Sequence, residues 1–162
     1  MNLIGQIINA MIAYYAGDVR RINHFLKVYG FAKAIGEMEG LDESTQEILE
    51  IAALTHDIGI KNSEKKYNSS AGNYQQIEGP PEAKKLLEGL GIESSVIDRV
   101  CWLIAHHHTY TDIQGIDYQI LVEADFLVNF YEDDMSIDSV HSAGGKMFKT
   151  LSGKAILNAI YS

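Results

Sequence analysis

At 162 residues the chain is long enough to bury a sizeable core without staples and has the length of one domain, 1–162. Its formal net charge of -9 argues against tight, sequence-independent binding of a nucleic-acid polymer, because an acidic surface repels phosphate. A lone cysteine, Cys101, rules out an internal disulfide, and no apolar run approaches the length of a membrane span. The start, MNLIGQIINAMIAYYAGD, lacks the basic region and cleavage site of a signal peptide, so a cytoplasmic protein without a membrane partner is expected.

Apolar residues recur at helical spacing almost everywhere and no segment alternates like a strand, so the expected fold class is all-α, a helical bundle. The first helix is expected over about 2–16, with Leu3, Ile4, Ile7, Ile8, Met11 and Ile12 on one stripe. Asp18 caps a second helix that runs to about residue 38. Asp42 or Ser44 starts a third, which carries Ile48, Ile51, Ala52 and Leu54 to His56-Asp57 and stops near Gly59. The polar run 61–73, KNSEKKYNSSAGN, reads as a long loop and a candidate lid. Pro80-Pro81 opens a short helix, which Gly89 and Gly91 close. Further helices are expected at about 95–108, 118–131, 137–148 and 153–161, the first of them capped by Ser94 or Ser95.

Three of these helices aim a ligand-type side chain inward. His24 shares its face with Val28, Phe31 and Ile35. His107 continues the stripe of Val96, Val100 and Leu103, and Asp125 lies among Tyr118, Leu121 and Val128. A carboxylate on such a face needs a strong partner, since burying an unpaired charge is costly. Imidazole and carboxylate together suit iron, manganese, cobalt, nickel or zinc. Two histidines and two aspartates on three helices leave positions open for water, the arrangement that serves hydrolysis.

The segment Leu54-Thr55-His56-Asp57-Ile58-Gly59 resembles the signature of the HD domain superfamily. The order His24, His56-Asp57, Asp125 is similar to that family's metal tetrad. Arg21 to Val28 resembles its first-histidine helix and Glu123-Ala124-Asp125 its last-aspartate helix, so the likeness spans about 18–130. The resemblance implies an HD-type helical bundle and divalent-metal phosphomonoesterase or phosphodiesterase chemistry, usually on nucleotides, through a metal-bound hydroxide. The tetrad His24, His56, Asp57 and Asp125 would hold the first metal. Some members hold two, with an extra histidine and a histidine pair. Here Glu78 stands in that extra histidine's place and His106-His107 matches the pair, with Asp57 as the bridge.

Further residues are expected at the site. Lys61 follows the motif by one residue, and Arg20 and Arg21 lie one turn before His24, where either could reach a phosphate; Lys61 and Arg21, the preferred one of the pair, are the candidate catalytic and substrate-binding cations for a phosphoryl group. His108 packs outward or contacts substrate, and His141, outside every motif, belongs on the surface. The leading function is hydrolysis of a small phosphorylated metabolite or nucleotide with one or two divalent transition metals. The alternatives are a regulatory domain that retains metal without turnover, and a di-iron oxygenase, against which the identity of Glu78 counts.

Overall fold

The computed structural model describes residues 2–162. Among them the apolar stripes fold into nine helices and no strand: α1 (Leu3–Tyr14), α2 (Val19–Met38), α3 (Glu43–Thr55), α4 (Ile60–Tyr67), α5 (Gly72–Gly89), α6 (Ser94–His106), α7 (Ile116–Glu132), α8 (Ile137–Met147) and α9 (Leu151–Ile160). None of these helices is long and apolar enough to cross a membrane.

Starts are set by short polar side chains that satisfy free backbone N–H groups. Asp18 accepts from Arg21 N, Asp42 from Thr45 N, Ser136 from Ser139 N and Thr150 from Gly153 N. Asp42 rather than Ser44 therefore caps α3, and α6 begins after Glu93 without a side-chain cap.

α3 lies at the centre. Every residue from Leu49 to Thr55 is buried, as expected of a helix wrapped on all sides. It packs against α1, α2, α6 and α7, while α2 also packs on α7 and α5 on α6. One contiguous apolar cluster joins these helices, from Ile7 and Phe25 through Leu54 and Leu103 to Leu121 and Phe130. The buried Glu123 ties the C-terminal helices to α7, accepting from Gln119, from Lys149 N and from both the N–H and hydroxyl of Thr150.

Two expectations are corrected. The run 61–73 is not a structureless loop: residues 60–67 form α4, and only 68–71 connect it to α5. Lys, Glu and Tyr give α4 adequate helix propensity, yet only Ile60 and Ser63 are buried, so no apolar stripe announced it. Asn68 stops it in the left-handed conformation, at φ 53°. The two prolines also do not start a helix. They lie inside α5, where each lacks the N–H that would bond four residues back. Tertiary contact overrides that local cost. A Cβ on Gly59 would come within 2.6 Å of Gly79 N and 2.7 Å of Gln75 O, so only glycine lets the turn after His56-Asp57 press its backbone on α5. Gly79 in turn sits against Ile104 of α6.

Candidate metal centre

α2, α3 with its following turn, and α7 converge where their stripes meet. His24 comes from α2, His56 and Asp57 from the end of α3, and Asp125 from α7. His24 Nε2 lies 3.0 Å from Asp57 Oδ2 and 3.1 Å from Asp125 Oδ1. His56 Nε2 lies 3.2 Å and 3.4 Å from the same two oxygens, and 3.3 Å from His24 Nε2. Donors about 2.1 Å from a shared divalent ion stand about 3.0–3.4 Å from one another, so the observed spacing is that of a ligand set.

The tautomers agree. His56 Nδ1 donates to Ala53 O at 2.7 Å, His107 Nδ1 to Ile104 O at 2.7 Å, and His24 Nδ1 to Glu132 Oε1 at 3.0 Å. With Nδ1 protonated in each ring, every Nε2 lone pair faces the cluster. Two imidazole lone pairs 3.3 Å apart repel unless a cation or proton lies between them. His107 Nε2 is buried without a hydrogen-bond partner and stands 3.5 Å from Asp57 Oδ1, an acceptor opposite an acceptor. An orphaned acceptor of this kind fits a cation. The residues present fit a metal on both grounds, and they form two clusters able to hold one: His24, His56 and Asp57, and Asp57, His107 and His108.

Charge on the cluster points the same way. Burial opposes the charged form of His24, but Asp125 and Asp57 outweigh it and raise its pKa to about 10. Burial likewise opposes charge on His56, yet Asp57 and Asp125 hold it well above the ordinary value. Burial favours the neutral acids, while the His56 charge and imidazole hydrogen bonds hold Asp57 and Asp125 below the carboxylate range. The carboxylates demand positive charge, and without a metal protons on the imidazoles supply it.

The structure separates the other expected residues. His107 reaches Asp57, but its expected partner His106 does not: His106 stacks on Trp102 at 4.0 Å between ring centres, and its Nδ1 pairs with Trp102 O. One residue along a helix end turns the side chain by about 100°, so only one of two adjacent histidines faces inward. His108 takes the inner place instead. Its Nε2 contacts Gln75 Oε1 at 2.8 Å and its Nδ1 the Tyr110 hydroxyl at 3.4 Å. Burial and then the neighbouring His107 lower its pKa to about 4. Glu78 is buried, but it turns to Lys66 at 2.6 Å and to the Tyr67 hydroxyl, outside both clusters. Lys61 is also placed elsewhere: Nζ donates to Tyr14 O at 3.1 Å and lies over the Tyr14 ring. His141 is exposed.

The tetrad opens into a polar cleft of about 520 Å³. Arg21 lines it, held by Asp18 at 2.8 Å and Glu64 at 2.5 Å. Arg20 lines it too, and makes no side-chain hydrogen bond or ion pair among the described residues. Sequence reasoning weighed Arg20 against Arg21 and preferred Arg21, and it passed over Glu132 and Asn129. Glu132 fixes His24, and Asn129 donates to Asp125 Oδ1 at 3.2 Å. Their signal was present: Asn129 and Glu132 lie four and seven residues after Asp125, on the same face of α7.

The HD domain family model matches residues 21–140. The chain belongs to the HD domain family. Among solved structures it is similar to a protein described as a predicted HD superfamily hydrolase from an uncultured Thermotogales bacterium. That likeness has a TM-score of 0.68 at 21% identity, over 96% of this chain and 83% of the other. It supports the helical fold and says nothing more of this HD domain. No curated protein matches the chain.

Proposed function

We propose that this HD domain is a metal-dependent hydrolase of a phosphoester in a small phosphorylated metabolite or nucleotide. The observation that carries the reading is the convergence of three locked Nε2 atoms and two aspartates at the foot of an open cleft that also presents Arg20 and Arg21. The neighbour described as a predicted HD superfamily hydrolase is consistent with it.

His24, His56, Asp57 and Asp125 would hold one divalent transition ion. Asp57 turns Oδ2 to His24 and His56 and Oδ1 to His107, so it would bridge to a second ion held by His107 with His108. When bound, such an ion supplies Lewis acidity and acidifies a water molecule by several pKa units, from 15.7 towards about 7. Hydrolysis breaks one P–O bond; water gives its oxygen to phosphorus and a proton to the leaving oxygen. Arg20 and Arg21 would bind phosphoryl oxygens and offset their charge. Glu132 and Asn129 hold His24 and Asp125 in their orientations. Gln75 and Ser70 close the opposite wall, with Gln75 Nε2 donating to Ser70 O at 2.6 Å.

The test is a panel of nucleotides and sugar phosphates, each assayed with manganese, iron, cobalt, nickel and magnesium. Phosphate release that disappears on metal stripping and returns on reloading is expected. Turnover that persists in stripped protein would overturn the mechanism. A fully loaded protein inactive on the whole panel would favour a regulatory metal-binding domain.

A further inference from the structure

Ile7, Met11 and Tyr15 follow one another at intervals of four residues along α1 and its cap, and all three are buried. The inward face of this helix therefore ends in a phenol, where the two residues before it on that face are aliphatic. The Tyr15 hydroxyl donates to the backbone carbonyl of Asp57 at 2.7 Å. Tyr14 beside it is half-buried, and its hydroxyl reaches the next carbonyl, that of Ile58, at 3.4 Å. Both tyrosines precede residue 21, where the match to the family model begins. The turn that carries Asp57 is thus held by a segment outside the matched residues.

Satisfying the carbonyl does not account for this contact. Asp57 O also accepts from Ile60 N at 3.0 Å, so its need for a donor is met within the turn itself. With the Tyr15 hydroxyl added, both lone pairs are taken, which fixes the plane of the peptide that follows Asp57. Burial and the nearby Asp57 charge push the Tyr15 phenol above its ordinary range, so it remains a donor. Two residues on, Gly59 presses its backbone on α5, so the turn is held from α1 and from α5. The pinned peptide is the base from which the Asp57 carboxylate reaches both clusters. Its Oδ2 lies 3.0 Å from His24 Nε2 and 3.2 Å from His56 Nε2, and its Oδ1 lies 3.5 Å from His107 Nε2. Metal–ligand distances tolerate only about 0.2 Å, so a small movement of that base is felt at both oxygens.

We propose that Tyr15, with Tyr14 beside it, is a positioning residue of the metal centre: from the end of α1 it fixes the backbone of Asp57, and through it the carboxylate that the two clusters share. The proposal rests on the metal-dependent reading above. Tyr15 makes and breaks no bond in the reaction and touches no substrate; it acts through Asp57. Its two parts have separate tasks. The ring belongs to the apolar core, and the hydroxyl sets the direction of the Asp57 peptide.

The test is Tyr15→Phe, which keeps the ring and removes the hydroxyl. Tyr29→Phe is the control, since the Tyr29 hydroxyl bonds Glu50, which belongs to neither cluster. Cobalt(II) is the probe, because its visible absorption reports the geometry of its ligands independently of turnover. Cobalt-loaded Tyr15→Phe is expected to show a shifted visible spectrum. Its affinity for cobalt in a chelator competition should be about tenfold weaker, the lower end of what groups that hold metal ligands in place contribute. Tyr29→Phe should keep the spectrum and affinity of the parent, whatever it loses in melting temperature. Tyr14→Phe removes a longer bond and should shift the spectrum in the same direction, with an affinity loss of about threefold. A Tyr15→Phe protein that melts lower but keeps the parent spectrum, and an affinity within about twofold, would overturn the proposal and leave the hydroxyl as an ordinary core hydrogen bond. Should Tyr15→Phe not fold, Tyr14→Phe decides, and a spectrum identical to the parent's would overturn it. Parent protein that takes up no cobalt would remove the metal-dependent reading, and the positioning role with it, before any variant is compared.

Discussion

Asp57 has one carboxylate oxygen in each of two clusters, and the two are held differently. On the Oδ2 side the partners are His24 and Asp125, inside α2 and α7, and the fully buried His56, which caps α3; these three helices pack against one another. On the Oδ1 side stand His107 and His108, at and just beyond the end of α6, where the chain leaves the helix. Helix interiors hold a side chain by the packing of whole turns, whereas a chain leaving a helix depends on a few hydrogen bonds. Here those bonds run from His108 N and Thr109 Oγ1 to Gln76, and from the Tyr118 hydroxyl to the carbonyls of His106 and Thr109. The first cluster is thus expected to bind its ion tightly and the second more weakly.

Removing the shared residue should break both sides at once. Asp57→Ala is expected to lose all bound metal and to lower turnover by more than about 10³-fold, beyond the loss of a single transition-state donor. Asp57→Asn, of the same shape, separates that loss from unfolding when thermal denaturation is followed alongside. His107→Ala should break only the Oδ1 side. Metal titration should then saturate at one ion per chain where the parent takes two, and an unchanged stoichiometry of two would reassign the second cluster.

The cations around the cleft sharpen the contrast between what faces it and what only borders it. Arg20→Ala should cost about 10²–10³ in rate if Arg20 meets the phosphoryl group in the transition state. Lys61→Ala should change kcat/KM by less than about twofold, because Lys61 is spent on Tyr14 rather than on the cleft. Steady-state kinetics on one active phosphoester decides between them, and the reverse order would return Lys61 to the site.

A smaller effect tests how the tetrad is oriented. Glu132→Ala leaves all four donors in place but frees His24 Nδ1, and should weaken metal binding about 10–100-fold in a chelator competition. Unchanged affinity would mean that packing alone fixes the ring.

The smallest effect is on pH dependence. His24 in metal-free protein has its pKa raised from 6.5 to about 10, so the folded state holds that proton more tightly than the unfolded chain. Its stabilisation is complete below pH 6.5 and is lost as pH rises to about 10. The melting temperature of metal-free protein should fall by several degrees over that window. Because the same proton competes with the ion, metal affinity should rise over it. A melting temperature that climbs between pH 7 and 10 in stripped protein would contradict the sign.

Much of this was legible in the chain. His24, Asp125 and His107 could be placed on inward faces because each continues an apolar stripe with a period of 3.6, and a helix repeats its geometry whatever it packs against. The His56-Asp57 pair stood out by its pattern, and Asp18 and Asp42 by their capping chemistry. α4 was invisible because its burial is confined to two residues, and the true start of α5 was hidden by prolines that local rules assign to a first turn. The second departure goes with the close backbone approach of Gly59 to Gly79 within α5, a contact between residues twenty apart. The choice among His106, His107 and His108 had the same character. Three adjacent imidazoles are chemically alike, and only the angle at which α6 ends and the hydrogen bonds to Gln75 and Gln76 decide which of them face Asp57. Local periodicity determined which helices carry donors. Which lone atoms meet and which cations remain free were decided by packing between distant segments, because those properties depend on positions in space that no single helix contains.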